Sequence, residues 1–146
     1  MKKNIFLCLQ LCALVLLSSC TKKDYSELIV GKWNPEYALE EYFDKNGVCI
    51  KTDRYNDIEQ GIIEFRQDGT YNQDGTIYHL FNPTYSIVGN KLTINVGGEY
   101  NITYDIRELN EKSLHISTDY YEEGEYDGSF PEGTKMIRTH YVFKRI

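Results

Sequence analysis

The sequence predicts an all-β fold, an antiparallel meander of about eight strands closing into a barrel, and three observations carry that prediction. Apolar residues recur at a period of two, as in Leu92, Ile94 and Val96 set between Lys91, Thr93 and Asn95, a pattern that buries one face of a strand. Turn chemistry divides these runs at short intervals, in Gln67-Asp68-Gly69, Gln73-Asp74-Gly75, Gly89-Asn90, Gly97-Gly98 and Asn110-Glu111-Lys112. The connections are also too short for parallel crossovers, which take a dozen or more residues. A two-sheet sandwich satisfies the same periodicity. Closing the meander removes its free edges and leaves an interior just wide enough for packed side chains or one small ligand.

In chain order, residues 1–19 read as an export signal. Lys2 and Lys3 precede the apolar run Ile5 to Leu17, which is shorter than a bilayer span and gives way to Ser18 and Ser19. The end of this segment, Leu17-Ser18-Ser19-Cys20, resembles the lipobox of bacterial lipoproteins. That resemblance implies cleavage ahead of Cys20 and acylation of Cys20. The membrane is then a partner through an N-terminal lipid anchor, and the location is the cell envelope. Thr21 is not the Asp that resembles an inner-membrane retention signal, so the outer membrane is the expected destination. Residues 20–27 are polar and read as a tether, and 28–146 as the barrel domain. Cys8 and Cys12 leave with the signal, so Cys49 is the one thiol remaining. It lies in the apolar run Val48-Cys49-Ile50 and reads as a packed strand cysteine.

The strand candidates are Leu28–Trp33, Val48–Arg54, Gly61–Arg66, Thr70–Gln73, Thr76–Leu80, Thr84–Val88, Lys91–Val96, Tyr100–Glu108, Ser113–Thr118 and Met136–Lys144. Barrel closure requires Leu28–Trp33 and Met136–Lys144 to be neighbours. One stretch, Pro35 to Phe43, has a composition that favours a short helix, with Pro35 at a first-turn position. His115 and His140 fall on the polar phase of their strands and should face outward if Tyr141 and Phe143 face the core.

A formal net charge of −6 argues against nucleic acid, whose binding needs concentrated Lys and Arg, and a hydrophobic content of 41% argues against general disorder. His79, His115 and His140 are scattered without zinc-ligand spacing. No nucleophile elbow, phosphate-cradling glycine loop or dinucleotide fingerprint appears, so neither enzymatic activity nor a metal or cofactor is expected. The most distinctive composition is the acidic, aromatic stretch Asp119 to Gly133, which reads as a solvated loop. Its Tyr120, Tyr121, Glu122, Glu123, Glu125 and Tyr126 are candidates for recognising a protein or glycan, since exposed aromatics offer contact area with a polar handle.

Leu28-Ile29-Val30-Gly31-Lys32-Trp33 resembles the Gly-x-Trp signature of the lipocalins. Ile63 to Tyr71, Tyr85 to Leu92 and the closing Tyr141-Val142-Phe143-Lys144-Arg145 are similar to small lipocalin-like lipoproteins of Bacteroidetes. The resemblance implies that Trp33 plugs the closed barrel end with Arg145 packed across it, and that the barrel binds a small, mainly apolar ligand without catalysis. The alternative is an envelope scaffold that binds a protein or glycan through the acidic loop. The interior discriminates between them: if Phe65, Tyr71, Tyr85, Tyr104, Tyr141 and Phe143 fill the barrel, the alternative gains.

Overall fold

The computed structural model describes residues 24–58, 61–76, 81–98, 100–121 and 130–146. The signal segment, Cys20, His79, and Glu122, Glu123, Glu125 and Tyr126 of the acidic loop lie outside the described residues, as does most of the strand candidate Thr76–Leu80. Among the described residues, a short helix α1 (Tyr25–Leu28) is followed by nine strands: β1 (Gly31–Phe43), β2 (Cys49–Tyr55), β3 (Ile63–Phe65), β4 (Tyr71–Gln73), β5 (Thr84–Val88), β6 (Lys91–Asn95), β7 (Asn101–Leu109), β8 (Ser113–Tyr121) and β9 (Met136–Arg145).

Every named strand pair is antiparallel, in the spatial order β4-β3-β1-β9-β8-β7-β6-β5. The two ends of that row meet. Thr70 bridges Thr84, the Tyr71 N–H donates to the Pro83 carbonyl at 2.9 Å, and the Tyr85 N–H donates to the Gly69 carbonyl at 2.9 Å. The result is a nearly closed eight-stranded barrel. The sandwich is thereby set aside, and β1 and β9 are neighbours from Trp33↔Arg145 to Phe43↔Met136.

Four expectations need correction. The first strand does not begin at Leu28: that residue ends α1, and β1 runs from Gly31 through the whole stretch whose composition favours helix. Pairing overrides propensity there, because β1 is flanked by β9 along its length and by β3 and then β2 on its other side. Pro35 is accommodated beside a bulge at Glu36, where the β9 register steps from Pro35↔Phe143 to Tyr37↔Val142. The bulge returns Ala38 and Tyr42 to the buried face. Cys49 is not packed but exposed. Its strand β2 pairs with β1, off the barrel path, and among the described residues no second layer covers it, so Val48, Ile50 and Tyr55 are exposed with it. Finally, the stretch from Asp119 is not all loop, since β8 continues through Tyr120↔Ile137 to Tyr121↔Met136.

The inward faces build one core from Ile29, Trp33, Ile63, Phe65, Tyr71, Leu92, Ile94, Ile106, Leu109, Leu114, Ile116 and Phe143, with Tyr85, Tyr104 and Tyr141 packed against it. Each large apolar side chain buried this way contributes about 1.5–3 kcal/mol. Aromatic edges set the packing: Tyr85 meets Phe65 edge-on at 5.0 Å between centroids, and Tyr104 meets Tyr141 at 6.2 Å.

Candidate functional site

The two ends of the barrel are built differently. At the end where β1 starts and β9 stops, Trp33 is fully buried and its indole N–H donates to the Ile29 carbonyl at 2.8 Å. Arg145 is its cross-strand partner, with the guanidinium carbon 4.3 Å from the centre of the indole ring. The same guanidinium donates to the Val30 carbonyl at 2.8 Å and to the Leu28 carbonyl, tying α1 and the turn after it over the barrel. Gly31 has φ +140°, and a Cβ there would lie 2.5 Å from an Arg145 nitrogen. Glycine in the Gly-x-Trp motif thus makes room for the guanidinium and tolerates a backbone angle that other residues resist. The pair closes the barrel, and cation–π attraction of about 0.5–2 kcal/mol reinforces it.

The interior is filled. The cavity among Ile63, Tyr71, Gln73, Ile94, Tyr104, Ile116, Tyr141 and Phe143 has a volume of about 40 Å³. That is room for about one water molecule and far below the 300 Å³ or more of a ligand pocket. The larger space lies at the opposite, open end, where the turn between β6 and β7 approaches the segment before β5. Phe81, Val96, Gly97, Gly98, Tyr100, Asn101 and Ile102 line an apolar groove of about 510 Å³ there. Phe81 and Tyr100 are 55% and 78% exposed. Gly97, at φ +106°, lets the Phe81 ring lie against its backbone: a Cβ would fall 2.6 Å from that of Phe81. Sequence reasoning missed this groove. Val96 and Ile102 follow the strand period, but Phe81, Gly97, Gly98 and Tyr100 lie outside it, and no local signal brings Phe81 to the Gly97-Gly98 turn.

At the same end, Tyr120 and Tyr121 are 59% and 62% exposed at the end of β8. The connection they enter is anchored at its base. Asp119 accepts two hydrogen bonds from Arg138, at 2.7 and 2.9 Å, and this partner holds its carboxyl below the usual carboxylate range. On the far side, Phe130 packs 6.3 Å from Tyr42, and Thr134 is buried with its hydroxyl donating to the Pro131 carbonyl at 2.6 Å.

His115 and His140 lie on the outer phase of β8 and β9, and the register brings them together: His140 Nδ1 is 2.9 Å from His115 Nε2, and His140 Nε2 is 3.0 Å from a Glu41 oxygen. With Glu41 ionised and both rings neutral, the His140 Nε2–H donates to the carboxylate. Nδ1 must then accept from His115, which fixes both tautomers. Burial, with His140 beside it, lowers the His115 pKa. The chain ties β1, β9 and β8 together on the outside of the barrel. Among the described residues, no group of three His, Cys, Asp or Glu is placed to hold a metal.

A family model described as a lipocalin-like domain matches residues 29–116, well over half of the chain. The chain is similar to a lipocalin-like protein of known crystal structure from Bacteroides uniformis, at 20% identity over 81% of this chain and 98% of that one, with a TM-score of 0.34. No curated protein matches it. With its family match running from Ile29 through the Gly-x-Trp motif to Ile116 on β8, the chain belongs to the lipocalin-like domain family, whose barrels are of the binding type.

Proposed function

We propose that this protein is a non-enzymatic, lipid-anchored binding module of the cell envelope that takes a small, mainly apolar ligand in the groove at its open end. One observation carries the reading: an apolar space of about 510 Å³ at the mouth, against about 40 Å³ inside the barrel. A ligand of ordinary size fits the first volume and not the second. The anchor rests on Cys20 in the lipobox-like segment, and the outer membrane is its expected site. Among the described residues, no helix is long and apolar enough to cross a membrane.

Titrating the mature domain with an apolar fluorescent dye tests the groove. Saturable binding that is lost in the Phe81→Ser/Tyr100→Ser double variant supports it; binding unchanged in that variant places the ligand elsewhere. Cys20→Ala tests the anchor, by release from the membrane fraction or by an uncleaved signal. Unchanged processing and detergent partitioning overturn it.

The filled interior also favours a second reading, in which the barrel is a compact scaffold and exposed Tyr120 and Tyr121 contact an envelope protein or a glycan. Tyr120→Ser/Tyr121→Ser separates the two: it abolishes partner capture under this reading and leaves dye binding intact under the first.

A further inference from the structure

We propose that the closed end of the barrel is a membrane-docking surface, its partner the bilayer that holds the lipid anchor, and that the groove therefore opens away from the membrane and loads from the aqueous side. This rests on the proposed acylation of Cys20. Four residue steps separate Cys20 from Asp24, so even fully extended they span at most about 14 Å. Asp24 is fixed to the closed end. Its carboxylate accepts from the Ser26 N–H at 3.0 Å to cap α1, and the Ile29 that follows α1 is fully buried. The ten residues of β9 measure about 33 Å, which at ordinary barrel tilt gives a height of about 25 Å. An acyl chain on Cys20 thus holds the closed end at the bilayer and cannot reach the mouth.

The surface of the closed end is compatible with that contact. Lys32, Lys112 and Lys144 are exposed at the closed end. They are drawn together where the Ile146 N–H meets the Lys32 carbonyl at 3.1 Å and the Arg145 N–H meets the Lys112 carbonyl at 2.9 Å. Ile146, 64% exposed, adds apolar contact beside them. Asp24, Glu27 and Glu111 share that end and leave it near neutrality. Among the described residues the opposite end carries Asp44, Asp74 and Glu132 against Lys45 and Lys135, so it too is close to neutral. With the two ends so similar in charge, the short reach from Cys20 is what turns the closed end to the bilayer.

Lysines at both ends supply the test without added labels. The lipidated chain is bound to vesicles containing anionic phospholipid, footprinted with a water-soluble acylating reagent, and compared by mass spectrometry with the same chain released in detergent. Vesicle binding should lower the reactivity of Lys32, Lys112 and Lys144 severalfold and leave Lys45 and Lys135 unchanged. Equal protection at both ends, protection of Lys45 and Lys135 alone, or no protection overturns the proposal. A chain beginning at Cys20 and carrying Cys49→Ser, coupled through its single thiol to a maleimide lipid, is footprinted in parallel. If cellular acylation of Cys20 fails while the coupled chain shows the closed-end pattern, the lipidation reading is lost and the docking geometry stands. If the coupled chain lacks the pattern, the docking geometry is wrong whatever the cell does to Cys20.

Discussion

The closed end and the open end of this barrel are made from the same strands and follow opposite rules. At the closed end a fully buried Trp33, a guanidinium spanning two carbonyls and a glycine without room for a Cβ determine one another. At the open end, Phe81, Tyr100, Tyr120 and Tyr121 each leave more than half of their surface in water. Interlocked groups serve stability, since none can change without displacing the others, whereas exposed aromatics around a groove contribute little to folding and remain free to meet a ligand. The contrast gives structure to one end and supports the proposed recognition at the other.

The largest expected effect follows from removing the plug. Trp33→Ala deletes a buried indole and leaves the Ile29 carbonyl without its donor, a loss of about 3–5 kcal/mol, out of the 5–15 kcal/mol typical of a domain. Chemical denaturation should show a much lower midpoint, whereas Phe81→Ser/Tyr100→Ser at the mouth should stay within about 0.5 kcal/mol of the parent. Comparable losses at both ends would erase the distinction. Gly31→Ala comes next. The added methyl must displace the Arg145 guanidinium and hold an unfavourable backbone angle, and a cost of about 1–3 kcal/mol is expected. Gly31→Ala combined with Arg145→Ala should then cost less than the sum of the two, because removing the guanidinium relieves the clash. Strict additivity would mean that the two residues do not share a space.

These two ends were also unequally legible in the sequence. The closed end is written locally: Gly31 and Trp33 lie two residues apart, and Arg145 shares the phase of Tyr141 and Phe143, so strand periodicity alone puts it on the inner face. The meander was readable for the same reason, each hairpin being announced by its own turn residues. What stayed hidden depends on partners distant in sequence. The groove joins Phe81 to Gly97 and Ile102 across a turn. Cys49 reads as buried because its neighbours are apolar, but burial needs a covering layer, and among the described residues β2 has none. The helical composition of Pro35 to Phe43 lost to strands on both sides. His115 and His140 read singly as surface residues, and only the β8–β9 register makes them a pair.

That pair gives a smaller, pH-dependent effect on the barrel wall between the ends. The His115 pKa is lowered in the folded protein by burial and by His140, so the unfolded chain takes up the proton first. Stability is therefore full above the unfolded histidine value of about 6.5 and declines as pH falls through it toward the lower folded value. The denaturation midpoint should drop between pH 7 and pH 5, and His115→Gln should flatten that slope. An equally steep slope in the variant would assign it to other groups. Asp119 works in the same direction at lower pH: paired with Arg138, its carboxylate stabilises the fold above about pH 4 and loses that contribution as it protonates.

The smallest expected effect is at the far end of the acidic connection and bears most directly on the contrast. Replacing residues 122–129 by a short Asn-Gly turn removes four acids and Tyr126, but keeps the Asp119–Arg138 pair, the Phe130–Tyr42 contact and the buried Thr134. Loop-closure entropy changes by only about 0.6 kcal/mol per doubling of length, so the shorter connection should leave the melting temperature nearly unchanged or slightly raised. Cutting back to Asp119 is a different operation, because it severs β8 from β9 at Tyr120↔Ile137 and discards an ion pair. A marked loss of stability is expected there. If removing 122–129 alone unfolds the domain, those residues belong to the barrel's structure and recognition cannot be confined to the mouth. If the shortened domain folds and loses capture of an envelope protein or glycan while keeping dye binding, the molecule holds two separable contacts, one in the groove and one that depends on residues 122–129.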